Sequence, residues 1–200
     1  AIGARLLEKE YDLSLWNRTK SNSQDLIKSG GKFFHNVNEL VDEVDIIIVI
    51  LGNDEALKNV YETKTGFKNF DLKNKTIIEM STTSVNYMKE LSNLVLSQNG
   101  SFIECPVGGS TKPARDGQLL GLMGGNKNKI DTLNFLFKDL FRRYEYLGET
   151  GKGTAMKLAI NLPLLVYWQS LGEALKLTSQ NGIQFEKALD IMIDTSLSLI

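Results

Sequence analysis

The run DIIIVIL (Asp45–Leu51) constrains this chain more than any other segment. An unbroken series of β-branched side chains leaves no wet face, so it predicts a strand covered on both sides, as in parallel sheets. Parallel strands need crossovers, usually helical, and the flanking sequence supplies them. Strand patterns at Tyr11–Asn17, Lys32–Phe34, Thr76–Met80, Ser101–Cys105, Gln118–Gly125 and Tyr144–Gly148 alternate with helical ones. The helical patterns fall at Ala1–Lys9, Ser23–Lys28, Asn38–Val44, Asn53–Tyr61, Ser84–Gln98 and Asn126–Phe141. Such alternation is the signature of an open α/β sheet. Asn53 or Asp54, and Ser84, are placed to cap the helices that follow them.

After Gly148 the strands stop. Gly153 to Gln180 reads as one long helix, and a second begins at FEKALDIMIDTSL (Phe185–Leu197). The division expected is therefore 1–150 for the sheet domain and 151–200 for the start of a helical one. The helical part is too short to close a sizeable core alone. Its most apolar stretch, Leu158–Leu171, is broken by Asn161, Pro163 and Gln169, which predicts a buried helix and no membrane span. A sheet domain that opens on a helix reads as lacking its first strand, and the last helix reads as cut short. A net charge of −1 gives no electrostatic case for nucleic acid or an anionic membrane. The single cysteine, Cys105, excludes an internal disulfide and fits a reducing, cytoplasmic setting. It reads as a buried thiol, His35 as structural, and Trp16 and Trp168 as packing residues. No metal-ligand spacing is present.

Open α/β sheets bind ligands at the carboxyl ends of their strands. The exit Asn17-Arg18-Thr19 has two readings: a polar turn, or an arginine that accepts the 2′-phosphate of NADP where a carboxylate would select NAD. Leu51-Gly52 and Ser81-Thr82 follow the next strands, either as solvated loops or as ligand contacts. In CPVGGSTKPARDGQL (Cys105–Leu119), Gly108, Gly109 and Ser110 offer amides for an anion, beside Lys112 and Arg115; a plain long loop is the other reading. Lys157 and Asn161 lie four apart, on one helical face. A partly buried lysine gives up its proton more easily and suits general acid work; the alternative is a lysine that snorkels to solvent.

Taken in order, AIGARLLEKEYDLSLWNRT, LGNDEAL, EMSTTS, CPVGGSTKPARDGQL and GETGKGTAMKLAIN resemble the β-hydroxyacid dehydrogenase family. That family includes 3-hydroxyisobutyrate dehydrogenases and glyoxylate/succinic semialdehyde reductases. The resemblance implies a Rossmann-type domain with a mostly parallel sheet, a long interdomain helix and an all-α C-terminal domain that forms a homodimer or homotetramer. It implies hydride transfer between NADP (NAD being possible) and a small hydroxy acid or aldehyde acid. Lys157 becomes the proton donor and Asn161 its orienting neighbour. Asn17, Arg18, Thr19, Leu51, Gly52, Ser81 and Thr82 become cofactor contacts, and Gly108, Gly109 and Ser110 substrate contacts. The family's substrate loop usually carries serine where this chain has Gly108, so the substrate is less determined than the reaction. Two rivals stay open: an imine or other C=X reductase on the same scaffold, and a cofactor-binding protein without catalysis.

Overall fold

The computed structural model describes residues 1–195. Ala1–Lys157 and the residues from Leu158 onward form two compact units.

The first unit is built on β3 (Ile46–Val49), β4 (Thr76–Glu79), β5 (Ser101–Glu104), β6 (Val107–Gly108), β7 (Leu119–Gly125) and β8 (Phe141–Gly148). They form one sheet in the order β3-β4-β5-β7-β6, with β8 also on β7. β3, β4 and β5 are parallel, as the apolar run demands. β7 is antiparallel to β5 and β6 but parallel to β8. β1 (Ser14–Leu15) and β2 (Lys32–Phe33) make a separate parallel pair. Among the described residues the helices of this unit are α1 (Ile2–Glu8), α2 (Gln24–Lys28), α3 (Val37–Glu43), α4 (Asp54–Tyr61), α5 (Val85–Ser97), α6 (Thr111–Arg115), α7 (Lys127–Thr132), α8 (Asn134–Leu140) and the first residues of α9 (Lys152–Gln180).

Alternation along the central strands feeds two cores. Ile47, Val49, Ile77 and Phe102 face one, with Tyr61, Phe67, Leu91 and Val95. Ile78, Ile103 and Cys105 face the other, with Leu136, Phe137, Leu140 and Phe141. Each buried Val, Leu, Ile or Phe among them contributes about 1.5–3 kcal/mol relative to exposure. Two caps hold as expected: Asn53 accepts from the Ala56 amide and Ser84 from the Tyr87 amide.

Three expectations need correction. Asn126–Phe141 is two helices, not one. Leu133 leaves helical geometry (φ −103°, ψ 14°), where the Thr132 hydroxyl bonds back to the Lys129 carbonyl and competes with the ladder. Phe141 then opens β8, packed on Phe137 and Tyr144. The segment Cys105–Leu119 is not a plain loop but contains β6 and α6, with Pro113 inside the helix's first turn, where its missing N–H costs nothing. The strand at Tyr11–Asn17 shrinks to Ser14–Leu15.

The second unit, which holds α9 beyond Leu158 and α10 (Phe185–Ile193), also departs from expectation. Residues 196 and 197 of the expected last helix lie outside the described residues. Leu158–Leu171 is helical but not buried: Leu165 is 66% and Trp168 59% exposed. Trp168 stacks edge-on against its neighbour Tyr167 and packs into no core. Two helices cannot wrap an apolar stripe that long, and among the described residues of this unit Ala188 is the buried hydrophobic one.

Candidate active site

Register brings the strand exits to one edge. Val49 pairs with Glu79, and Glu79 with Glu104. The ladder runs one step further: the Met80 amide donates to the Val49 carbonyl and the Cys105 amide to the Glu79 carbonyl, both at 2.8 Å. Leu51-Gly52, Ser81-Thr82 and the segment from Pro106 to Ser110 therefore leave the sheet side by side.

Two of these exits are fastened together. The Leu51 amide donates to Ser81 Oγ at 2.8 Å. The Ser81 amide donates to Glu79 Oε1 at 2.8 Å, and the buried Tyr61 hydroxyl donates to Glu79 Oε2 at 2.7 Å. Burial pushes the Glu79 carboxyl up to about 7, against the hydrogen bonds from Ser81 and Tyr61, which pull it down. Gly52 and Thr82 are exposed at this edge, and a Cβ placed on Gly52 would meet nothing within 4 Å.

The third exit is tied to α9. The buried Glu104 carboxylate accepts from the Gly151 and Thr154 amides, one on each oxygen. Space around it is kept by glycine: a Cβ on Gly124 would lie 2.6 Å from Glu104 Oε2, and one on Gly153 would collide with the Leu122 carbonyl. Lys157 follows one turn on. It is half-buried, burial lowers its ammonium's pKa below the ordinary 10.5, and it has no hydrogen-bond or ion-pair partner among the described residues. The Thr154 hydroxyl is also buried without a partner. Asn161 lies one further turn along α9, in the second unit and half-exposed.

In the segment after β5, Gly108 lies in β6 opposite Leu120. Gly109 has φ 127°, a left-handed conformation that favours glycine, and a Cβ there would come within 2.8 Å of Leu119 Cδ2. Ser110 takes the cap position of α6 without a side-chain bond. Lys112 is spent on an exposed pair with Asp116 at 2.6 Å. Asn17-Arg18-Thr19 is a turn in which Asn17 Oδ1 accepts from the Thr19 amide at 2.9 Å. No hydrogen bond ties it to the other exits. Arg18 is exposed and unpaired among the described residues.

Glu79 and Glu104 are the residues that sequence reasoning missed. Their signal was present: each is an acid near the end of an otherwise apolar strand, TIIEM and FIEC, and a buried carboxylate must find donors. Cys105 is fully buried and burial pushes its thiol far up, so it is no nucleophile. Among the described residues no group of His, Cys, Asp and Glu could hold a metal, and no helix is long and apolar enough to cross a membrane.

Open space over Gly52 and the exposed Thr82 at the same edge leave room there for a dinucleotide. The mostly parallel sheet with these exits defines a dinucleotide-binding protein of the Rossmann type. Residues 1–148 match the model of the NAD binding domain of 6-phosphogluconate dehydrogenase. The chain belongs to that family, and its β-hydroxyacid dehydrogenase motifs have relatives to match. It is 30% identical over 192 residues, 96% of its length, to glyoxylate/succinic semialdehyde reductase 1 of Arabidopsis thaliana, of which it spans 66%. It is 26% identical over its whole length to the human cytokine-like nuclear factor N-PAC, of which it spans 36%. The chain thus spans less than two thirds of either relative. An imine reductase from Myxococcus stipitatus, solved in complex with NADP+, shares the fold with a TM-score of 0.87 at 18% identity, over 96% of this chain and 66% of that one.

Proposed function

We propose that this chain is the cofactor-binding part and the beginning of the helical part (1–150 and 151–200) of a cytoplasmic, homodimeric or homotetrameric oxidoreductase. It interconverts a small hydroxy acid and its aldehyde or keto acid with NADP(H). The observation that carries this reading is Lys157: partly desolvated, without a partner, on a helix whose first turn is bound to the sheet's carboxyl edge.

When bound, the nicotinamide supplies the hydride chemistry. Lys157 donates a proton to the substrate's carbonyl oxygen during reduction and takes it back in oxidation, a role that its lowered pKa favours. Its charge also stabilises the developing alkoxide, worth roughly 3 kcal/mol in comparable sites. Asn161, at i+4, orients the ammonium or the substrate. Leu51, Gly52, Ser81 and Thr82 hold the dinucleotide over the sheet edge. Asn17, Arg18 and Thr19 take the 2′-phosphate. The amides of Gly108 and Gly109, with Ser110, receive the substrate carboxylate. An NADPH-oxidation assay of the protein with glyoxylate, succinic semialdehyde and methylmalonate semialdehyde tests the reading. Turnover of cyclic imines with none of the three acids would favour the imine reductase, and NADPH binding without any turnover the non-catalytic protein.

Arg18→Ala is expected to weaken NADPH by about 10- to 100-fold, the worth of charge-assisted phosphate bonds, and to leave NADH nearly unchanged. Fluorescence titration with both nucleotides checks this; equal losses would remove Arg18 from the phosphate. Gly108→Ser is expected to fold normally, because a Cβ there meets nothing nearer than 3.5 Å. It should lower KM for acid substrates while melting stays within a few degrees. A KM that does not move would place the carboxylate elsewhere.

A further inference from the structure

We propose that Glu104 is a positioning residue for the reaction: its carboxylate fixes the first turn of α9, and thereby the place of Lys157, against the carboxyl end of β5. The proposal rests on Lys157 as the proton donor.

The first amides of a helix have no intrahelical acceptor, and at α9 two of them, Gly151 and Thr154, have their acceptor in one side chain from another element. A carboxylate at a helix N-terminus also complements the helix dipole. The contact is buried and costly to arrange. Glu104 is fully out of water, Gly124 and Gly153 lack the Cβ atoms that would crowd it, and Gly151 adopts φ 103° to turn its N–H inward. A simple cap would need none of this, since Asn53, Ser84 and Asn126 cap their helices with their own side chains. The arrangement joins two parts of the candidate site. Glu104 ends the strand that runs into Pro106–Ser110, and Thr154 precedes Lys157 by three residues, on the same helical face. One carboxylate thus sets the distance between the substrate segment and the proton donor. It also occupies the N-terminus of α9, so phosphate recognition belongs to the other exits.

Glu104→Gln tests this. The amide keeps the shape but offers one acceptor, and its NH2 faces the second backbone N–H. Amide exchange across residues 150–157, measured without cofactor, should quicken at least tenfold. The kcat should fall by about 10- to 100-fold, the scale of a displacement near 1 Å, with KM for the dinucleotide unchanged because Leu51 and Ser81 are held by Glu79. Glu104→Asp keeps the charge but is too short to reach both amides, and should lie between Gln and wild type in exchange and in kcat. Quickened exchange with wild-type kcat in either variant would overturn the proposal. If Glu104→Gln does not fold, Glu104→Asp decides alone on the same two readings. Lys157→Ala keeps the two ideas separate. Should that variant retain turnover, the reading of Lys157 fails; should it be inactive while the Glu104 variants turn over normally, the positioning role alone fails.

Discussion

Lys157→Ala is expected to lower turnover by about 10²- to 10⁴-fold, the usual contribution of a positioned acid, with dinucleotide affinity nearly kept. The side chain is half-buried and ties up no neighbour, so its removal disturbs no bond in the fold. In the native protein the rate of reduction should fall at alkaline pH as the ammonium loses its proton, at a pH below the 10.5 of a free lysine because burial disfavours the charge. Oxidation should respond in the opposite sense. Steady-state rates from pH 6 to 11, in both directions, check the variant and the profile together. A Lys157→Ala enzyme with wild-type turnover, or the same alkaline limb without the lysine, would retire it as the acid.

The second large effect concerns Glu79 and is read in stability. Its carboxyl titrates at about 7 in the folded chain against 4.5 when free. The folded state therefore holds the proton more tightly. The contribution of Glu79 to stability is greatest below about 4.5, falls as pH rises toward 7, and is level above that. The loss is on the order of 3 kcal/mol. Glu79→Gln removes the titration. Its amide oxygen can still accept from the Ser81 amide, and its NH2 can donate to the Tyr61 oxygen, so the neutral form is well imitated. Urea unfolding at pH 5 and pH 8 should show native stability falling between the two and the variant nearly constant. At pH 8 the variant should be the more stable. An unchanged difference between the two pH values would mean that Glu79 is already ionised in the fold.

What could be read from the sequence followed the strength of the local pattern. β-branched runs such as IIIV and TII have one sensible fate, and β3, β4 and β5 appeared with their crossovers. Gly108-Gly109 and two prolines disguised β6 and α6, because a proline near a helix start and a glycine in a two-residue strand look like loop chemistry. The division at Leu133 was hidden by continuous apolar spacing across it. Trp168 is exposed against expectation because hydrophobicity states that a side chain seeks cover and not where that cover comes from. At the candidate site the exits were legible from strand ends alone. Their connections were not, since Glu79 to Ser81 and Glu104 to Thr154 depend on register between strands and on a helix 50 residues away.

The shared hydroxyl of Ser81 has an implication for redesign. The crest after β3 and the crest after β4 have a common fastener, so they cannot be remodelled as separate modules. A substitution at Leu51 or Gly52 carries over to the crest at Ser81, and effects made in either place will not simply add.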